Sequence, residues 1–329
     1  MKIKVFAFLL FFLTIPFIAN GHVKWFTKSA PVKESIENIL SPFFMTIALI
    51  TALVLGILPQ ILPKLMEWKP VEKFDETLDR LRKFSPLLLR YGTAVALIVQ
   101  VLSGSLLAPE IHINTFGYIV GAAVIVLLLI PHHFAHKIAA AALVLAFIEA
   151  TFRIGTFHML DYGFYVAIAF ALFVQKTKIE TWGTPFLYLG TGLSLCWVAV
   201  EKWVFPGLSM DIIASHGVPT FGFSPEMFIS ISAFIEFVVG YLLVVGVLNR
   251  ILALVLTLIF FMTTTLFGAV EIVGHLIVHF ILIVFILEGI SFYKPPIKIH
   301  QTMLDQIIFV FLNFLFVLGA MILIYYRFA

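Results

Sequence analysis

Ten apolar runs, each about long enough to cross a lipid bilayer, occupy residues 43–62, 87–107, 114–130, 138–153, 157–175, 185–204, 227–248, 250–268, 270–290 and 304–326. No soluble fold buries that many such segments, so the expected class is an all-α, polytopic transmembrane bundle. Composition agrees. The chain of 329 residues is 62% hydrophobic and only 12% charged, with a mean hydropathy of +1.10. Ordinary globular domains carry about a quarter charged residues, so most of this surface meets lipid. The net charge is only +3, and the lysines and arginines sit at helix ends rather than in a basic stripe, which excludes nucleic acid as a partner. The single cysteine, Cys196, excludes an intrachain disulfide and a CxxC redox pair.

Residues 1–21 combine a basic start (MKIK), an apolar stretch and the small residues of A-N-G, the pattern of a secretory signal peptide. Cleavage after Gly21 would make His22 the mature N-terminus, whose amine and imidazole together suit copper(II). Without that cleavage His22 is an ordinary loop residue. Residues 22–42 then form a periplasmic segment, and ten spans return the C-terminus to the same side. The positive charges support this orientation. Lys64, Lys69, Lys73, Arg80, Arg82, Lys83, Lys137, Lys176, Lys178, Arg250, Lys294 and Lys298 fall in the inner loops, whereas outer loops 108–113 and 205–226 hold no lysine or arginine. The expected location is the cytoplasmic membrane.

Segment 63–86 is the only strongly charged stretch, and Phe74, Leu78 and Leu81 recur along it at helical spacing, predicting an amphipathic helix on the inner membrane surface. His132, His133 and His136 form a His-rich inner loop, read as solvated rather than metal-binding. Residues 91–109 align without a gap on 189–207, and each copy opens a set of four spans, at 87–175 and 185–290. The two sets run in the same direction, so the expected organisation is a parallel duplication with one flanking span at each end.

Ionisable residues inside these spans mark candidate sites, because charge at the centre of a membrane helix costs roughly 2.5–3.5 kcal/mol on insertion scales. Glu271, His275 and His279 lie four apart and share one helix face. A lone membrane histidine is more often interhelical hydrogen-bond glue, but three ionisable groups at matched spacing point beyond that. Glu201 and Lys202 near the end of one span, Glu149 and Arg153 at the end of another, and His158 and Asp161 at the start of the next all fall in the outer half, with Glu236 near the midplane. Neighbours on a helix diverge by about 100°, so Glu201 and Lys202 cannot face one another and each needs its own partner.

The second four-span unit, 185–290, resembles the DoxX family of bacterial membrane proteins. The resemblance rests on AVEKW, with Lys202 near the outer end of its first helix. It rests also on E-x-x-x-G-x-x-L-x-x-G-x-x-x-R in the second helix, read as Glu236, Gly240, Leu243, Gly246 and Arg250. Two closely spaced helices follow. This resemblance implies a four-helix membrane fold and, for some members, a role as membrane subunit of thiosulfate:quinone oxidoreductase or as membrane partner of periplasmic redox or metal-binding systems. In the motif the glycines permit close helix approach and Arg250 caps an inner helix end.

Three functions fit. A quinone- or proton-handling site would use Glu201, Lys202 and Glu236 as its reactive groups, with the imidazoles passing protons. A transition-metal site, copper above all, would draw on His22, His158, Asp161, Glu271, His275 and His279. A scaffold would use Glu201, Lys202, Glu236 and Arg153 as a buried ion-pair network. No P-loop, dinucleotide fingerprint, GxSxG or HExxH motif is present, which leaves nucleotide-driven transport and those hydrolase routes without support.

Overall fold

A computed structural model describes residues 23–27, 29–66, 76–289 and 302–329. The expected leader, His22 and residues 67–75 of the amphipathic segment lie outside the described residues. Two short helices, α1 (Val23–Phe26) and α2 (Ile36–Ile39), precede the long α3 (Pro42–Met66). Then come α4 (Ser85–Leu102), strands β1 (Ser105–Leu106) and β2 (Ala108–His112), α5 (Thr115–Leu129), α6 (His133–Ile154), α7 (Thr156–Met159) and α8 (Phe164–Phe173). The second half comprises α9 (Gly183–Val204), α10 (Pro206–His216), α11 (Pro225–Val245), α12 (Asn249–Phe267), α13 (Ala269–Glu288) and α14 (Met303–Phe328).

The chain is a helical, multi-pass membrane protein. Among the described residues seven helices are long and apolar enough to cross a bilayer, or eight when the bent pair 156–162 and 164–173 counts as one span. Every one of the ten apolar runs carries helix, but α5 has only 15 residues and the run at 157–175 is broken, bending by 59°.

Two boundaries differ from expectation. The run 87–107 stops being helical at Leu102, because Ser103, Gly104 (φ +77°) and Pro109 turn the chain into an antiparallel hairpin pairing Ser105 with His112 and Leu106 with Ala108. Gln100 fills the space beneath it, donating to the Tyr165 hydroxyl at 2.8 Å and accepting from Leu107 N at 3.0 Å. Residues 76–84 do not form a separate surface helix. They continue through a 3-10 turn at Arg82–Phe84 into α4, and two ion pairs tie them to the second unit: Asp79 to Arg250 at 2.5 Å and Arg82 to Glu288 at 2.6 Å.

Helix α9 is the axis of the bundle. Its apolar stretch is 61% buried, against 28% for the peripheral α3 and α14, which pack on one another. Glycines on opposite faces of α9 explain this position. A Cβ on Gly190 would lie 2.4 Å from Ala167 Cβ of α8, and one on Gly192 would lie 2.5 Å from the Gly240 carbonyl of α11. Backbones that close exclude any side chain, so both neighbours approach only because these residues have none. On the other side of the molecule α4 meets α13, where a Cβ on Gly92 would strike Phe280 at 2.4 Å.

Both described termini lie at one end of the bundle, where Lys33 Nζ donates to the Tyr326 and Ala329 carbonyls at 2.9 and 3.0 Å. The β1–β2 hairpin, the bend at 155–163 and α10 close the same end. At the opposite end Arg250 donates to the Ile286 and Leu287 carbonyls, the free last turn of α13, as the motif reading anticipates.

Candidate functional site

Four residues that follow the candidate leader build the centre of the site. Helix α1, sequence VKWF, is inserted into the terminal end of the bundle, and its side chains reach several elements there. Val23 is buried with Leu208, Ile212, Val218, Phe228 and Phe267. Phe26 stacks on Phe267 with centroids 4.5 Å apart, and the next residue, Thr27, donates to Asp211 at 2.5 Å. Burying apolar residues on either side of a lysine forces its ammonium inward, so it must meet an acid there.

It meets two. Lys24 Nζ lies 2.6 Å from Asp161 and 3.1 Å from Glu201, both carboxylates being almost completely buried. Burial alone would lower the Lys24 pKa, but the two adjacent carboxylates outweigh it and hold the group above the usual lysine value. Asp161 reaches this point because the span is broken there. The 3-10 turn Leu160–Tyr162 between α7 and α8 is met by Ser194 of α9, whose Oγ accepts from Phe164 N at 3.1 Å and donates to the Leu160 carbonyl at 3.4 Å. Irregular backbone at membrane depth survives only when neighbouring helices supply such partners. Tyr325 of α14, also buried, faces Glu201.

Trp25 extends the network sideways. Its Nε1 donates to the Tyr162 hydroxyl at 2.9 Å, Tyr162 donates to Glu110 of β2 at 2.5 Å, and His158 Nε2 lies 3.0 Å from the same Glu110 oxygen. The indole sits where a Cβ on Gly274 would be 2.0 Å away, so only glycine at that position admits it. Beyond it lies His275, with ring centroids 4.8 Å apart. His275 is in turn stacked on Phe260 at 4.2 Å, and its Nδ1 is 2.9 Å from Glu271 Oε1. Glu271 occupies the first turn of α13, where the helix dipole favours an anion.

Lys202 and Glu236 form a separate pair. Their 2.6 Å contact joins α9 to α11 with Lys202 only 1% exposed. Glu201 and Lys202 thus do take different partners, one pointing to α1 and the other to α11.

The structure therefore joins Asp161 and Glu201 through Lys24, joins Glu271 to His275, and joins Lys202 to Glu236. It does not gather the six residues expected as metal ligands. His158 goes to Glu110, Asp161 to Lys24, and His279 packs against Phe261 at 4.9 Å between centroids, while His22 lies outside the described residues. Among the described residues no group of three or more His, Cys, Asp and Glu side chains is placed to hold a metal ion. Arg153, expected in the ion-pair network, instead pairs with Glu149 at 3.3 Å and donates to the His112 carbonyl. Sequence reasoning missed Lys24, Trp25, Glu110, Tyr162, Tyr325 and Gly274. The available signal was VKWF itself, a cation and an aromatic framed by apolar residues directly after a leader-like segment.

No family model, curated protein or solved structure matches the chain.

Proposed function

We propose that the protein is a DoxX-like redox subunit or accessory of the cytoplasmic membrane, and that the cluster closed by Lys24 and Trp25 is its proton-handling site on the periplasmic side. The observation that carries this reading is a charge imbalance: one ammonium stands between two buried carboxylates, Asp161 and Glu201. With both acids ionised the triad carries one net negative charge away from water, and taking up one proton removes it. Burial makes that proton the cheapest compensation, which is the condition for a group that binds and releases protons in service.

The surroundings fit the role. Glu110, Tyr162 and His158 form a hydrogen-bonded chain beside the triad, the kind of path along which protons move. A network serving only to hold helices together would satisfy its acceptors, yet Asp161 Oδ1 and Glu110 Oε2 are buried without a hydrogen-bond donor. Every motif residue behind the DoxX-like resemblance whose contacts are on the page also has a definite task. Lys202 and Glu236 pair, Gly240 lies against Gly192, and Arg250 caps α13. The absence of lysine and arginine from loops 108–113 and 205–226 supports the periplasmic orientation of this end. In this setting the redox molecule is a lipid-soluble quinone, whose reduction takes up protons together with electrons.

Saturable binding of decylubiquinone to purified protein in nanodiscs tests the reading. Wild type is expected to bind, and Asp161→Asn to bind at least about tenfold more weakly. Equal binding by both proteins, or none by wild type, would remove the quinone from the account.

A further inference from the structure

At the end of the bundle opposite the termini, the first unit carries a buried cation for which no acid among the described residues supplies a counter-charge. Arg90, in the second turn of α4, is 8% exposed. Its Nη1 contacts His136 Nε2 at 3.1 Å and its guanidinium lies 4.0 Å from the Tyr91 ring centroid. Its Nε is buried without an acceptor, and among the described residues it makes no ion pair. His136 is also buried, 5% exposed, and has the Ile130 carbonyl and Gln175 for neighbours. Its Nδ1 lacks a hydrogen-bond partner.

Among the described residues, basic side chains predominate around this pair. Lys137 follows His136 directly and lies over the Phe134 and Phe173 rings at 5.8 and 5.9 Å. His132 and His133 stack on one another at the same helix start. Lys176 follows Gln175, and its backbone N–H donates to Glu180 at 3.0 Å. A buried guanidinium without a counter-ion is costly, and its fork of donors matches the oxygens of a phosphate. Arg90 is five residues past the start of α4, about 7.5 Å along the axis, so it lies near one end of the helix rather than at its middle. Basic pockets between membrane helices hold anionic headgroups.

We infer that Arg90 and His136, with Lys137 and Lys176 at the rim, form a binding site for a phosphate-class oxyanion, supplied by the headgroup of an anionic phospholipid. A free phosphate ion has the same chemistry and is the second source to separate. The site lies at the other end of the molecule from the proton-handling cluster and does not rest on that reading.

Native mass spectrometry of the full-length protein, exchanged from detergent into mixtures of phosphatidylglycerol and phosphatidylcholine, tests it. Wild type is expected to retain phosphatidylglycerol with at least about a tenfold preference, Arg90→Lys to keep only part of it because an ammonium lacks the guanidinium fork, and Arg90→Gln to lose it. Lys137→Gln with Lys176→Gln leaves the buried pair intact and should weaken the preference severalfold, which keeps a result in hand if Arg90→Gln does not fold. Inorganic phosphate is titrated in parallel in phosphatidylcholine alone. Arg90-dependent phosphate binding without lipid preference would uphold the site and assign it to the free ion. A wild-type protein with neither preference, or an unchanged preference in folded Arg90→Gln, would overturn the inference.

Discussion

Replacing Lys24 by methionine isolates the step on which the site depends. The ammonium is 2.6 Å from Asp161 and 3.1 Å from Glu201, and its side chain is 12% exposed, so screening by solvent is weak. At an effective dielectric constant of about 20 these contacts correspond to roughly 6 and 5 kcal/mol of attraction, offset in part by repulsion between the two carboxylates. Desolvation of three charged groups cancels most of that balance, so the intact triad adds little net stability. Removing the cation is another matter. It leaves two acids facing one another in a buried site, and breaking a buried pair this way costs about 3–5 kcal/mol. Lys24→Met should therefore lower stability by about that amount, measured by unfolding in mixed detergent micelles. Adding Asp161→Asn and Glu201→Gln to Lys24→Met should restore at least half of the loss, because the acids no longer lack a counter-charge. A cost below about 0.5 kcal/mol for Lys24→Met, or strictly additive effects in the combined variant, would refute the reasoning.

Further outcomes follow from other contacts. Gly274→Val places a side chain where Trp25 sits, within 2.0 Å of its ring, and should expose Trp25 to aqueous quenchers with a loss of about 2–4 kcal/mol; unchanged tryptophan quenching would show that α1 is not seated there. Gly240→Leu should separate α9 from α11 and prevent a folded monomer from being recovered, since its Cβ alone would stand 2.5 Å from the Gly192 carbonyl; normal yield and melting temperature would contradict this crossing. Glu34 lies outside the spans, and the Asn38 amide, followed by Ser35 N–H, holds its carboxyl below the ordinary 4.5. Its contribution is therefore complete above pH 4.5 and lost as pH falls through the lower folded value, so a Glu34→Gln variant should remove the pH dependence of proteolytic protection around 29–40 between pH 5 and pH 3. Identical acid profiles for the two proteins would count against it.

The membrane class was legible because it depends on runs of apolar residues, a property each segment carries by itself. The divergence of Glu201 and Lys202 was legible for a similar reason, since neighbours on one helix point apart whatever the fold. What Lys24 does was not legible. Its partners are 137 and 177 positions away in sequence, and only packing of α1 into the bundle brings them together. The break at 155–163 was hidden as well, because Phe157, Met159 and Leu160 keep the run apolar while Gly155 and Gly163 end regular helix on either side. The hairpin after α4 is written locally in Ser103, Gly104 and Pro109, yet an apolar span count passes straight over it. The spacing of Glu271, His275 and His279 did predict a shared face. It did not predict that Trp25 would lie against His275 or that Phe261 would take His279. Side chains supplied by distant elements decide what a polar helix face becomes.

Proton uptake by the Asp161–Glu201 pair is tested most directly by infrared spectroscopy of the purified protein in nanodiscs, titrated across neutral pH in H2O and D2O. The account predicts a protonated-carboxyl C=O band that shifts on deuteration and disappears in the Asp161→Asn, Glu201→Gln double variant. A wild-type spectrum without such a band, or a band that survives in the double variant, would contradict it.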